Sequence, residues 1–377
     1  MLNEDHNLIR DTARAFAGAR VRPFSAEWER EGRIPEGIFA EAAGLGMMGI
    51  TIPESYGGAN AGATALALTL EEIAAGDASL ATALSVHNSL TAAAILRFGS
   101  EEQRRTWLPE MTKGQILGAF ALTETGAGSD ASAIRCKAEK RGNGWRLNGT
   151  KQFVTSGSIA GVVLTFAVSA PTAGKKGLSA FLVSPRTPGY RVLRAEEKRG
   201  QKASETCQVE FSNMDLPAEA LLGQEGEGYR IALANLETGR IGIAAQSVGI
   251  ARAAFEAALA YAKERRTFGR PIVDHQAISF RLADMATEIE AARLLYLNAA
   301  RFRENGSPCL KEASMAKLYA SEMVERVCSA AIQIHGGYGY VKGYPVERLW
   351  RDSRVCQIYE GTSDIQRMVI GRALASE

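Results

Sequence analysis

Apolar residues recur with helical spacing over the first 115 positions and again from about residue 227 onward. The runs at 64–75 and 80–98 carry few charges, which predicts helices buried on more than one side. Three long helices are predicted at 229–264, 274–304 and 308–334, and a fourth follows Pro345. Between about 116 and 226 the pattern changes to short β-like runs separated by Gly, Pro and Asn turns. We therefore predict an α+β protein with an N-terminal all-α domain (1–115), a central β-barrel or sandwich (116–226) and a C-terminal four-helix bundle (227–377).

Composition excludes several classes of function. A net charge of +2 over 377 residues gives no reason to expect nucleic acid or an anionic membrane. No apolar run approaches the roughly 18 residues of a membrane span. Five scattered cysteines without a CxxC pair predict reduced thiols, and four histidines without ligand spacing predict no metal site. The N-terminus lacks a basic, apolar leader, so we expect a cytoplasmic protein, or a mitochondrial matrix protein if the chain is eukaryotic and processed.

Two segments of the β region can bind a flat polar group. Residues 122–130 (LTETGAGSD) place two glycines and three hydroxyl residues after a strand, which exposes backbone N–H groups to an anion or heterocycle. The alternative is an ordinary glycine-rich hairpin loop. In 149–157 (GTKQFVTSG), Phe153 and Thr155 share one face of a strand, although a strand Phe is more often part of a core.

Two segments of the helical C-terminal region have a functional and a structural interpretation each. Four cations in 263–270 either favour the C-terminus of a helix through its dipole or bind phosphates. The paired glycines of 333–339 (QIHGGYG) either end a helix or permit close backbone approach to a ligand. His335 fits a structural role.

The segment 357–367 (QIYEGTSDIQR) contains a single glutamate, Glu360, beside a glycine. No Lys or Arg occupies the four positions on either side of Glu360. In a dry cavity its pKa would rise, which suits a group that takes a proton at neutral pH. The alternative is a helix N-terminus, with Thr362 or Ser363 as the cap and Asp364 in the first turn.

Together these segments resemble the acyl-CoA dehydrogenase family. The resemblance covers nearly the whole chain and rests on 122–130 and 333–366, reinforced by Arg265-Arg-Thr-Phe-Gly and His275-Gln-Ala-Ile. It implies FAD bound between the β domain and the bundle, a homotetramer or dimer, and FAD contacts to an adjacent subunit through Arg265 and Phe268. The residues it assigns to FAD are Phe120, Leu122, Thr123, Gly128, Ser129, Phe153, Thr155, Arg265, Phe268, Gln333, Gly336, Gly337, Thr362 and Asp364.

The resemblance also implies the reaction, in which an acyl-CoA loses hydrogen across Cα and Cβ. Glu360 matches the base that removes the Cα proton, while a hydride passes to flavin N5. Some relatives carry the base at the position of Gly239, which has no carboxylate here. Substrate contacts are implied for Ser129, Glu237, Arg240, Tyr359 and Gly361, with Arg240 near the CoA adenine.

The chain looks most similar to the short- and short/branched-chain members of the family, so we expect a short or 2-methyl-branched acyl-CoA as substrate. An electron-transfer flavoprotein is the expected electron acceptor. The alternatives are a flavin oxidase or monooxygenase on the same fold, and a catalytically silent scaffold.

Overall fold

The computed structural model describes residues 2–376, which form three consecutive structural regions. The first region is helical. Its α-helices are Glu4–Phe16 (α1), Ser25–Glu31 (α2), Glu36–Gly44 (α3), Gly62–Gly76 (α4), Ala78–Ser85 (α5), Ala93–Phe98 (α6) and Glu101–Thr112 (α7). π-Helical turns occupy Ala17–Val21 and Val86–Ala92, and the second of these joins α5 to α6. A short 3-10 turn, Glu54–Tyr56, lies between α3 and α4.

The apolar runs of the first region are core helices, as their pattern predicts. Every residue of α4 from Thr64 to Gly76 is buried. Within residues 2–376, one helical stretch, Ala78–Phe98, is long and apolar enough by length and composition to cross a membrane. Of its most apolar part, 89% is buried inside the protein, as in the core helix of a folded domain.

The second region is a β-sheet. Its strands are Leu117–Ala121 (β1), Lys137–Arg141 (β2), Gly144–Thr155 (β3), Ala160–Val168 (β4), Leu178–Val183 (β5), Tyr190–Ala195 (β6), Thr206–Leu216 (β7) and Leu221–Leu222 (β8). They pair in the order β6-β7-β3-β2-β4-β5-β8, and β1 lies parallel to β4. Strands β2 and β6 are not evident from the sequence, because β2 is mostly charged and β6 is largely exposed.

The sheet curls around its own core, in agreement with a barrel-like domain. In a flat sheet, β3 and β5 would lie about 14 Å apart, because three strand spacings separate them in the pairing order. The rings of Trp145 on β3 and Phe181 on β5 nevertheless lie 5.3 Å apart. Alternate residues of β4 serve two cores: Val163 faces the interior of the sheet, and Leu164 packs towards helices α6 and α7.

The third region is a helical bundle. It contains Gly228–Glu264 (α8), a hairpin of Arg266–Thr267 (β9) and Arg270–Pro271 (β10), Gln276–Glu304 (α9), Leu310–His335 (α10), Pro345–Ser353 (α11) and Ser363–Leu374 (α12). The predicted long helices are confirmed. The fourth is divided into α11 and α12 by the segment that holds Glu360.

Buried ion pairs join the first region to the bundle. Glu71 and Glu72 of α4 are 3% and 2% exposed. Arg293 of α9 pairs with Glu71, and Arg252 of α8 pairs with Glu72 at 2.5 Å. Buried charges require such partners, so these pairs fix how α4 sits on α8 and α9. The helices approach closely at Gly249, where an added Cβ would lie 2.1 Å from the Glu71 carbonyl oxygen.

Candidate active site

Glu360 lies in the tight turn between α11 and α12. Its φ is +52°, which is unusual for a residue with a side chain, and Gly361 follows with a φ of +92°. Thr362 then caps α12, because its Oγ1 accepts a hydrogen bond from the Ile365 N–H at 3.3 Å. The helix-cap interpretation of this segment therefore holds for Thr362, and it leaves Glu360 free to point away from the helix.

The Glu360 carboxylate is enclosed above helix α8. Its Oε2 is inaccessible to solvent and has no hydrogen-bond partner within the described residues, although the residue as a whole keeps some exposed surface. An added Cβ on Gly239 would lie 1.9 Å from Oε2, so the carboxylate occupies the space that a side chain at 239 would fill. The two positions that relatives use for the base thus compete for one volume.

Burial sets the ionisation of this carboxylate. It raises the pKa of Glu360 to about 7, while the cations Lys317 and Arg240 oppose the rise. A carboxylate with a pKa near neutrality is an effective proton acceptor at physiological pH. A base that removes a proton from carbon needs a carboxylate oxygen that is not already hydrogen-bonded. The buried Oε2 of Glu360 meets this requirement.

Arg240 of α8 is buried near Glu360. It is 4% exposed, and its Nη1 donates to Ser314 Oγ of α10 at 3.2 Å. Glu237, one turn earlier, accepts a hydrogen bond from the Cys309 thiol at 3.1 Å and lies 3.7 Å from Arg303. Glu237 is therefore held by Cys309, at the N-terminal end of α10, and by Arg303 of α9.

Tyr359 and Gly361 flank the base, and each accepts a hydrogen bond from a side chain of another segment, Gln201 and Lys317 respectively. The Tyr359 hydroxyl lies 3.3 Å from Nε2 of Gln201, which reaches in from the loop before β7. Gln201 also donates through its backbone N–H to the buried carboxyl of Asp352. The turn that carries Glu360 is therefore supported by the sheet region as well as by the bundle.

The two segments predicted to flank a flavin lie side by side. The Gln152 N–H donates to the Thr123 carbonyl oxygen at 2.8 Å. The fully buried Lys151 donates from Nζ to the Leu122 carbonyl oxygen at 3.1 Å and pairs with Glu124 at 2.8 Å. These contacts fix the backbone of 122–124 against β3. Lys151 and Glu124 are absent from the sequence-based list because nothing local distinguishes them from surface residues.

The surface beside these segments fits a flat heterocycle. Phe153 has a φ of +58° at an irregularity of β3 and presents 62% of its surface to solvent. Thr155 is half-buried nearby, and Phe120 and Leu122 are partly buried against the core that the sheet shares with helices α6 and α7. Gly128 and Ser129 are exposed in the loop, and an added Cβ on Gly128 would meet no atom within 4 Å. An exposed aromatic ring beside open backbone suits a flavin ring.

A separate cleft of about 620 Å³ lies at the end of the bundle, and it brings Arg265 together with Gly336 and Gly337. The remaining lining includes aromatic and histidine side chains that the sequence-based list lacks: Tyr261, His275, His335 and Tyr338. His335 stacks on Tyr261 at 4.4 Å, so the structural role predicted for it coexists with a position in the cleft wall. One cation, two bare glycines and aromatic walls can hold a phosphorylated nucleotide.

The other residues assigned to FAD lie on the surface. Phe268, with a φ of +50°, is 96% exposed at the tip of the β9–β10 hairpin, and Gln333 is exposed near the end of α10. The Asp364 side chain is 90% exposed in the first turn of α12, 3.8 Å from Arg367.

Comparison with known proteins agrees with this architecture. Family models match in order: the acyl-CoA dehydrogenase N-terminal domain at residues 3–115, the middle domain at 119–214 and the C-terminal domain at 226–375. An acyl-CoA dehydrogenase of Bacillus subtilis is 47% identical over 99% of this chain and 98% of its own length. The mitochondrial short-chain specific acyl-CoA dehydrogenase of Bos taurus is 44% identical over 98% of this chain and 90% of its own length.

A solved structure gives the same result. Butyryl-CoA dehydrogenase from Megasphaera elsdenii superimposes with a TM-score of 0.98 at 40% identity, covering 100% of this chain and 99% of the other. The chain therefore belongs to the acyl-CoA dehydrogenase family, whose members are FAD-dependent enzymes that oxidise a CH–CH bond of an acyl-CoA.

Proposed function

We propose that this enzyme dehydrogenates a short-chain or 2-methyl-branched acyl-CoA to the trans-2-enoyl-CoA, with Glu360 as the base. The similarity to short-chain and butyryl-CoA dehydrogenases supports the substrate class. The observation that carries the role of Glu360 is its unpartnered carboxylate above Gly239, with a pKa raised to about 7.

The chain's own groups account for the proton transfer. Glu360 removes the Cα proton in a pocket from which water is largely excluded, so the carboxylate is not stabilised by hydration. In this proposal, the backbone N–H of Glu360 donates to the thioester oxygen as that oxygen gains negative charge. FAD, when bound at the surface formed by Phe153 and the 122–130 loop, supplies the hydride acceptor.

A second copy of the chain and an electron-transfer flavoprotein complete the proposal. The cleft at the end of the bundle and the exposed Phe268 suit contact with the nucleotide end of FAD bound to a neighbouring subunit of a homotetramer or dimer. An electron-transfer flavoprotein is the proposed acceptor of the two electrons. The relatives do not favour the oxidase, monooxygenase and silent-scaffold alternatives.

Anaerobic titration of the purified enzyme tests the substrate class through the flavin absorbance. The panel is butyryl-, isobutyryl-, 2-methylbutyryl-, isovaleryl-, glutaryl- and octanoyl-CoA. We expect bleaching by butyryl-CoA or by one of the 2-methyl-branched thioesters. A yellow protein that none of these bleaches, or one bleached by octanoyl-CoA alone, contradicts the proposal.

The base assignment has its own test. Glu360→Gln keeps the volume of the side chain but removes its ability to accept a proton, so it should retain FAD and lose about 10²–10⁴-fold in the rate of flavin reduction. Glu102→Gln, at an exposed position in the first turn of α7, is the matched control and should behave like the wild type. Near-normal reduction in Glu360→Gln would show that another group is the base.

A further inference from the structure

Lys317 is a buried lysine on helix α10, and the reaction chemistry above assigns it no role. Its side chain is 0% exposed. Lysine is almost never fully buried without a partner, because removing an ammonium group from water is costly. Its Nζ donates to the carbonyl oxygen of Gly361 at 2.8 Å, directly after the proposed base.

The bond to Gly361 fixes a turn that is unusual in its backbone. Glu360 and Gly361 both have positive φ, and a residue with a side chain holds that conformation only when its surroundings enforce it. Gln366, which is fully buried, adds hydrogen bonds from Nε2 to the Glu360 carbonyl at 3.2 Å and to the Gly361 carbonyl at 2.8 Å. Lys317 thus ties this turn to α10, while Gln366 ties it to α12.

Lys317 also acts on the Glu360 carboxylate through its charge. The charged groups that face this site are Lys317 from α10 and Arg240 from α8. Lys317 itself is influenced by Cys356 of the turn after α11 and by Glu322 of its own helix, in addition to Glu360 and Arg240. Burial lowers the pKa of Lys317 to about 8, so it still carries its charge at neutral pH. In a site of low dielectric constant, such a charge counteracts the burial of a carboxylate.

We propose that Lys317 is a positioning residue for the base: its ammonium group anchors the backbone beside Glu360 and provides a buried positive charge that favours the ionised form of the carboxylate. This role rests on the proposed function of Glu360 as base. Lys317 acts through Glu360 and does not touch the substrate.

Three substitutions separate the charge from the hydrogen bond. Lys317→Met removes both, Lys317→Gln keeps an N–H donor without charge, and Lys317→Arg keeps the charge. Arg326→Met is the matched control, since it removes an exposed cation from the same helix. The first readout is the pH dependence of anaerobic flavin reduction by the best thioester. The second is an infrared titration of the carboxyl band that disappears in Glu360→Gln, which requires no turnover.

Loss of the charge should raise the pKa of Glu360 from about 7 to about 8–9 in Lys317→Met and Lys317→Gln. With a wild-type pKa of about 7, the ionised fraction at pH 7 falls about 5- to 50-fold, and the rate falls with it. The rate should recover as the pH rises above about 9, where most of the carboxylate is ionised again. Lys317→Arg should keep the wild-type pKa, and Arg326→Met should match the wild type throughout.

Unchanged pKa values in both uncharged variants would overturn the proposal, as would an equal loss of rate at every pH in all three. If Lys317→Met does not fold, the comparison of Lys317→Gln with Lys317→Arg decides the question. If the wild-type flavin is not bleached by any thioester, the proposed function fails. The infrared titration then still reports whether Lys317 controls the Glu360 carboxyl.

Discussion

The contact between Gly239 and Glu360 gives the sharpest prediction of the site. Gly239→Ala adds a single carbon, which would lie 1.9 Å from Oε2, 2.7 Å from Cδ and 3.0 Å from Oε1 of Glu360. Because both oxygens and the carboxyl carbon are affected, rotation of the group alone does not relieve the overlap. An ordinary contact begins at 3.4 Å, so the carboxylate must retreat by about 1.5 Å (3.4 − 1.9).

A displacement of this size removes the base from its reacting distance. Misplacement by about 1 Å can reduce a rate about 10²-fold, and we expect at least that loss in the anaerobic rate of flavin reduction. Stability should not fall in parallel. Alanine is favoured over glycine inside a helix by up to about 1 kcal/mol, and the flexible end of Glu360 can absorb the overlap.

The assay is stopped-flow flavin reduction at saturating butyryl-CoA, together with FAD content and the thermal midpoint. Gly371→Ala is the matched control, because it makes the same change in helix α12 where no atom lies within 4 Å. It should retain wild-type activity. Wild-type reduction by Gly239→Ala would show that Glu360 does not act from its position above Gly239, and loss of FAD would show that the change disturbs more than the base.

Two further changes test the support of the site. Lys151→Met should lower the free energy of unfolding by about 1–3 kcal/mol and weaken FAD retention, because Glu124 loses its buried cation and the Leu122 carbonyl loses its donor. Glu124 keeps the backbone N–H groups of Arg135 and Cys136 as donors. Lys151→Met/Glu124→Gln should recover part of the loss in urea unfolding, and an unaltered midpoint in the single variant argues against the buried pair. Burial raises the pKa of Asp352 from 3.8 to about 7. Between these two values the native state retains a proton that the unfolded chain has released. The free energy of unfolding should therefore decline by at most about 4 kcal/mol as the pH rises from about 4 to about 7. Asp352→Asn should lessen this decline between about pH 5 and about pH 8, whereas an equal decline in both proteins would count against it.

Much of the fold follows from local patterns in the chain. Helix α8 and the buried helix α4 are evident from the spacing of their apolar residues, and the end of α10 is marked by Gly336. Strand β2 is not evident, because four of its five residues are charged and only Ala138 is buried. Its pairing with β3 depends on backbone hydrogen bonds, which leave no apolar pattern in the sequence.

The candidate site was predictable in part. The Gly-rich loop, the Phe153 strand and Glu360 can be recognised as short segments with distinctive chemistry. Lys151 and Lys317 cannot, since each is a single lysine in an ordinary helix or strand. Their partners are distant in the chain: Glu124 is 27 residues from Lys151, and Gly361 is 44 residues from Lys317.

The sequence by itself determined which residues could do chemistry: a glutamate beside a glycine and a threonine that can cap the next helix. Tertiary structure decided what that glutamate is. The packing of α8 brings Gly239 beneath its carboxylate, and α10 supplies Lys317 to its backbone. The pKa of a carboxyl group depends on lost hydration and on nearby charges, and both are fixed by the packing of distant segments.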